Sequence, residues 1–161
     1  MSVHRYDVGL AWSGTTSVGY DAYSREHQVF PAELDPVQVS ADPHFRGDPA
    51  RLNPEQLLVM AAASCQLLSF LAVASRARLD VLDYRDSAVG SMPEAKGAMS
   101  VTRIELRPTI VLAPGSRLDR LDRLVHLAHE QCYIANSLRS EVVIDADFRI
   151  DDRHVAHITV G

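Results

Sequence analysis

The sequence predicts an α+β domain on three observations. Stretches of strand length that alternate apolar and polar residues lie near both ends of the chain and in its middle. A nearly unbroken apolar run from Leu57 to about Leu79 follows a cluster of helix-start residues, and Leu118 to Cys132 repeats its apolar residues every three or four positions. The resulting order of strands, long helix, strands, helix and strands implies antiparallel sheets packed around two central apolar helices. At 161 residues the chain suits one domain, 1–161, and its 47% apolar and 23% charged content excludes disorder and a disulfide scaffold.

Taken in order, Tyr6, Val8 and Leu10 alternate with polar or small residues, and Ser13-Gly14 breaks the run before a second extended stretch through Val18 and Tyr20. From Phe30 to Leu52, four prolines and Gly47 predict a long loop, and long loops in small domains tend to be functional. Asn53-Pro54-Glu55-Gln56 then supplies a capping side chain, a proline at the first helical position and a glutamine three residues after the cap. Residues 82–90 and 99–113 read as strands with a polar turn between them. Pro114-Gly115-Ser116 opens the second helix, a short helical piece surrounds Asn136-Ser137-Leu138, and two strands carrying Val142, Ile144, Phe148 and then Val155, Ile158, Val160 end the chain. The first helix is apolar on more faces than one small sheet can cover, which predicts a second copy packed on it as a homodimer.

Several classes of function are excluded or disfavoured. The formal charge of −5 and a single lysine, Lys96, argue against nucleic acid, which demands clustered cations. Ser64, Gln66 and Ser69 interrupt the long apolar helix, and no aromatic belt or basic cluster flanks it, so no membrane association is expected. With no charged-then-apolar leader at the start, a cytoplasmic location is expected, where a cysteine pair serves chemistry more often than scaffolding. His129 and Cys132 share a helical face, but two ligands do not close a zinc site, and no Gly-x-Ser-x-Gly hydrolase elbow is present.

The chemistry then rests on Cys65 and Cys132. Both fall on helical faces expected to be buried, where a cysteine can be a small hydrophobe and nothing more. Cys65 is mid-helix and depends on side chains for its ionisation, and the arginine-containing loop precedes its helix; a guanidinium nearby would hold it as the reactive thiolate. Cys132 ends its helix, where the backbone dipole opposes negative charge. Cys65 is the better nucleophile and Cys132 the better resolving thiol.

Asn53-Pro-Glu-Gln-Leu-Leu followed by Ala-Ala-Ala-Ser-Cys65, with the later His129-Glu-Gln-Cys-Tyr-Ile-Ala-Asn-Ser-Leu138, resembles the osmotically inducible protein C and organic hydroperoxide resistance (OsmC/Ohr) family. The resemblance extends to the element order over essentially the whole chain. It implies an OsmC-like fold in an intertwined homodimer, and a thiol peroxidase reducing organic hydroperoxides to alcohols. In that chemistry Cys65 becomes a sulfenic acid, Cys132 condenses with it to a disulfide, and an external dithiol of lipoyl type restores the pair. No metal or organic cofactor is implied.

By the same resemblance Glu55 matches a glutamate that pairs with an arginine steadying the thiolate. Ten residues of helix separate Glu55 from Cys65 by about 15 Å, so it acts through a long arginine or from the partner subunit; otherwise it only complements the helix dipole. The arginine is expected to be Arg46, with His44 and Arg51 as alternatives, because the run His44-Phe45-Arg46-Gly47 departs from the family's Arg-Phe-Gly order. A guanidinium alone offers a permanent charge and a two-pronged grip. Tyr133 stands where the better-known branches carry proline, and it lines a pocket or is a plain core aromatic. The competing function is a non-catalytic protein of the same fold, a thiol sensor or a binder of a small apolar ligand.

Overall fold

The computed structural model describes residues 2–161, which divide into two units, one ending at Leu57 and the other Leu58–Gly161. In the first, β1 (Val8–Ala11), β2 (His27–Pro31) and β3 (Val37–Val39) form an antiparallel sheet in the order β1-β2-β3. Every residue of β1 is exposed, Val8 and Leu10 included. The stretch through Val18 and Tyr20 is not the second strand. It turns, with Gly19 at φ 91° and Ala22 N–H donating to the Gly19 carbonyl at 3.1 Å. The Arg25 guanidinium lies 4.7 Å from the Tyr20 ring centre and 3.7 Å from that of Tyr23, so cation–π attraction competes with extension and β2 starts only at His27.

The predicted loop from Phe30 to Leu52 contains β3 and a 3-10 turn at Pro43–Phe45. The Asp42 carboxylate caps that turn by accepting the His44 N–H at 2.8 Å. Buried Ser40 closes the base of the loop: its N–H donates to the Leu52 carbonyl at 2.8 Å, and its hydroxyl accepts from Asp48 N–H at 3.0 Å. Gly47 is required by close approach, because a Cβ there would stand 1.6 Å from the Ala41 carbonyl oxygen.

Helix α1 (Pro54–Arg76) starts as the sequence predicts. Gln56 N–H donates to Asn53 Oδ1 at 2.8 Å and Asn53 N–H to Gln56 Oε1 at 3.0 Å, a reciprocal cap. The helix stops three residues before Leu79, because Arg78 takes the left-handed conformation at φ 58° and Leu79 N–H turns back to the Ala74 carbonyl. By length and composition α1 is able to cross a membrane, and 28% of its most apolar window is buried within the chain. Ala62, Gln66, Phe70, Val73 and Ala74 form the buried face; Met60, Leu68 and Leu71 remain exposed.

In the second unit, β4 (Val81–Asp86) and β5 (Val89–Ser91) run antiparallel to β7 (Pro108–Leu112) and β6 (Arg103–Leu106). β6 and β7 keep a single register against β8 (Glu141–Ile150), with Leu106 opposite Ile144 and Thr109 opposite Asp147. They are one strand interrupted at Arg107, ahead of Pro108, which has no N–H to donate. The sheet is mixed where antiparallel pairing was expected, because β6 and β7 are parallel to β8; the segment from Ala113 to Ser140 carries the chain back to start β8 in the same direction. β9 (Arg153–Val160) returns antiparallel on the other edge of β8.

Helix α2 (Leu121–Glu130) begins seven residues after Pro114, the intervening residues making turns with Gly115 at φ 81°. A further 3-10 turn spans Ala135–Ser137. The inner face of the sheet, with Ile104, Leu106, Ile110, Ile144, Ala146 and Phe148, packs on Phe70 and Val73 of α1 and on Leu121, Leu124, Val125 and Ala128 of α2.

Candidate active site

Cys65 lies one residue beyond the third turn of α1 and one position before Gln66, which belongs to the buried face. One residue is a rotation of about 100°, so Cys65 sits at the margin of that face and is partly exposed. Cys132 falls two residues past the end of α2, held by its N–H to the His129 carbonyl at 3.1 Å, and is only 1% exposed. The two thiols are free, and Cys65 is near enough to Cys132 to add to the shift of its thiol. Ile134 N–H donates to Cys65 Sγ at 3.4 Å.

Their inequality has a different cause from the one the sequence suggests. Cys132 lies beyond the helix, and burial is what pushes its thiol up to about 11; contact with Cys65 adds to this, and the amides of Ala135 and Ile134 oppose it. A partly exposed thiol is open to oxidation by a small molecule arriving from solvent, and a buried thiol beside it is the group with which it would close a disulfide. Tyr133, beside Cys132, is 80% exposed and is not a core aromatic.

The three candidate cations each hold a neighbouring carboxylate within the N-terminal unit. Arg46, left-handed at φ 67° after the 3-10 turn, places Nη2 3.1 Å from Asp21 Oδ1. His44 Nδ1 is 2.7 Å from Asp42 Oδ1, and its N–H and ring draw that carboxyl below its ordinary value. Arg51 Nε is 4.0 Å from Asp48. Glu55, in the first turn of α1, has a buried Oε2 with no hydrogen-bond partner.

Two polar groups escaped sequence reasoning. Tyr84 and Asp86 lie two residues apart on β4, the spacing that puts both on one face of a strand. Tyr84 packs on Phe70 at 6.2 Å between ring centres, and its hydroxyl is buried without a partner. Burial raises the Tyr84 phenol above its ordinary value, with Asp86 and then Cys132 adding to the shift. Asp86 is also raised by burial; one oxygen accepts Arg107 N–H at 2.7 Å and the other is buried and unpartnered. A polar pair inside a predicted strand was the available signal. Among the described residues, no three His, Cys, Asp or Glu side chains converge as a metal site.

The model of the OsmC-like protein family matches residues 47–147. An OsmC-like protein of unknown function from Vibrio cholerae superposes with a TM-score of 0.79 at 33% identity, covering 91% of this chain and all of that one. The uncharacterized protein YmaD of Bacillus subtilis is 29% identical over 63% of this chain and 65% of its own length, just under two thirds. A structure described as an organic hydroperoxide resistance protein OsmC from Legionella pneumophila shares the fold, with a TM-score of 0.66 at 16% identity over 93% of this chain and all of that one.

The buried thiol gives a pH dependence whose sign is fixed. Between the ordinary thiol value of 9.0 and about 11 the unfolded chain releases the Cys132 proton and the folded chain keeps it. Stability from this group is therefore complete below pH 9 and is lost as pH rises through about 11. Urea unfolding of the reduced protein across this range is expected to show a decline that is shallower in Cys132→Ala.

Proposed function

This chain belongs to the OsmC-like protein family, and we propose that it is a thiol-dependent peroxidase that reduces organic hydroperoxides to alcohols. The observation that carries the reading is the juxtaposition of two free cysteines, one partly exposed and one buried: Cys65 Sγ accepts the N–H of Ile134, which stands two residues beyond Cys132. The description of the Legionella protein as one of organic hydroperoxide resistance supports the same chemistry.

In the proposed cycle the Cys65 thiolate attacks the outer oxygen of the hydroperoxide. An S–O bond forms, the O–O bond breaks, and the departing alkoxide takes a proton from water to leave as alcohol. Cys132 then loses its proton and attacks the Cys65 sulfur. The S–S bond forms, hydroxide departs, and with the Cys132 proton it makes water. An external dithiol of lipoyl type reduces the disulfide by exchange. Arg46 is assigned to steady the thiolate and Glu55 to hold the arginine, a role for which a buried carboxylate oxygen without a partner is suited.

The functional unit is proposed to be a homodimer in a reducing compartment such as the cytoplasm. Met60, Leu68 and Leu71 form an apolar surface on α1, and β1 is exposed throughout; a second copy covering them removes a large apolar area from water.

Wild-type protein with excess dithiol is expected to consume cumene hydroperoxide faster than hydrogen peroxide, and Cys65→Ser to lose turnover by at least about a thousandfold. One equivalent of peroxide should remove two hydrogens from the intact mass, an effect absent in Cys132→Ser. No turnover above the Cys65→Ser background, with the disulfide still forming, would instead favour a thiol sensor. Arg46→Ala is expected to move Cys65 alkylation to higher pH; an unchanged profile sinks the Arg46 assignment in favour of His44 or Arg51. Light scattering at micromolar concentration should give twice the 17.8 kDa chain mass, and a monomer would remove the dimer.

A further inference from the structure

The hydrogen bond from Ile134 N–H to Cys65 Sγ, at 3.4 Å, comes from a segment distant in sequence and independent of any side chain. Ile134 stands two residues beyond Cys132, so the segment that carries the buried cysteine also supplies a donor to the half-exposed one. The turn that aims this amide is held at several points. Asn136 N–H donates to the Cys132 carbonyl at 3.0 Å, Ser137 N–H to the Ile134 carbonyl at 2.9 Å, and the Ser137 hydroxyl to the Tyr133 carbonyl at 2.7 Å. Ile134 itself has φ −70° and ψ −45°, an unstrained conformation. The amides of Ile134 and Ala135 also face the Cys132 thiol, where they favour its ionised form.

An N–H bond to a neutral thiol is weak, whereas one to a thiolate is charge-assisted. A donor fixed before reaction therefore stabilises the ionised sulfur selectively. Its effect is short-ranged and survives high salt, unlike the field of an exposed guanidinium.

We propose that the backbone N–H of Ile134 stabilises the Cys65 thiolate and, in the peroxidase cycle, then serves the Cys132 sulfur during disulfide closure. Once Cys65 carries oxygen as a sulfenic acid, its sulfur is neutral and a poor acceptor, and the amide is free to bond the Cys132 thiolate as that thiol loses its proton. The second half rests on the peroxidase reading; the first does not. The amide adds no atom and takes no electron in either step.

The donor can be removed while the rest of the turn is kept. Proline fixes φ near about −65°, close to the native −70° of Ile134, and has no N–H. Because proline also restricts the preceding residue, Tyr133, a second variant in which Ile134 is replaced by its α-hydroxy acid turns the amide into an ester and leaves the side chain in place. Alkylation of Cys65 by iodoacetamide is followed against pH in the full-length chain, without peroxide, with Ile134→Val, which retains the N–H, as the reference for side-chain effects. The alkylation midpoint is expected to rise by about one pH unit in the ester variant and in Ile134→Pro. An ester variant that titrates with wild type overturns the proposal, and a shift confined to Ile134→Pro does so as well, since it would reflect backbone distortion. A shifted profile in a chain that turns over no hydroperoxide leaves the donor standing and removes the peroxidase reading. Turnover with an unshifted profile does the reverse.

Discussion

Phe148, in the middle of β8, meets Phe70 of α1 at 5.9 Å between ring centres, and the rest of the Leu58–Gly161 unit depends on this packing of a strand paired on both edges against the helix over its inner face. Fully buried aromatics of this size contribute several kcal/mol each, about 3–5 by truncation, so the rotation of α1 about its axis is strongly fixed. Once Ala62, Gln66, Phe70 and Val73 face the sheet, Cys65 is placed at the edge of that face. Leu124, Val125 and Ala128 dock α2 on the same core, and the chain leaving α2 then delivers Cys132 and Ile134 to the Cys65 sulfur.

The chemical asymmetry of the thiols follows from this packing. Cys132 is buried, which disfavours its charge; Cys65 is partly exposed and receives a backbone donor. Tyr84 and Asp86 bring two unpartnered polar groups to the same interior. Leaving such groups unpaired costs stability, and proteins tolerate this cost most often near sites of function.

Much of the fold was legible because its signals are local. The Asn53–Gln56 cap reads directly from four residues and forms as written. β8 and β9 alternate with a period of two and appear where expected. The failures occurred where a contact or chain path that alternation does not encode outweighed the local pattern. Tyr20 and Tyr23 grip Arg25 and replace an expected strand by a turn. The direction of β8 beside β6 and β7 depends on the path from Ala113 to Ser140, which no periodicity encodes.

The same division holds for the candidate site. By itself the sequence determined which groups are available for chemistry: two thiols, a carboxylate at the start of α1 and the candidate cations Arg46, His44 and Arg51, with Lys96 as the sole lysine. It also determined the helix that carries Cys65, because caps and apolar runs act over a few residues. Only the tertiary structure decided that the two cysteines come together, that burial and not a helix dipole raises the Cys132 thiol, and that a main-chain N–H from Ile134 points at Cys65. Every residue but proline carries the same amide, so no side chain announces where one will be aimed, and its direction is set by packing between segments 69 positions apart.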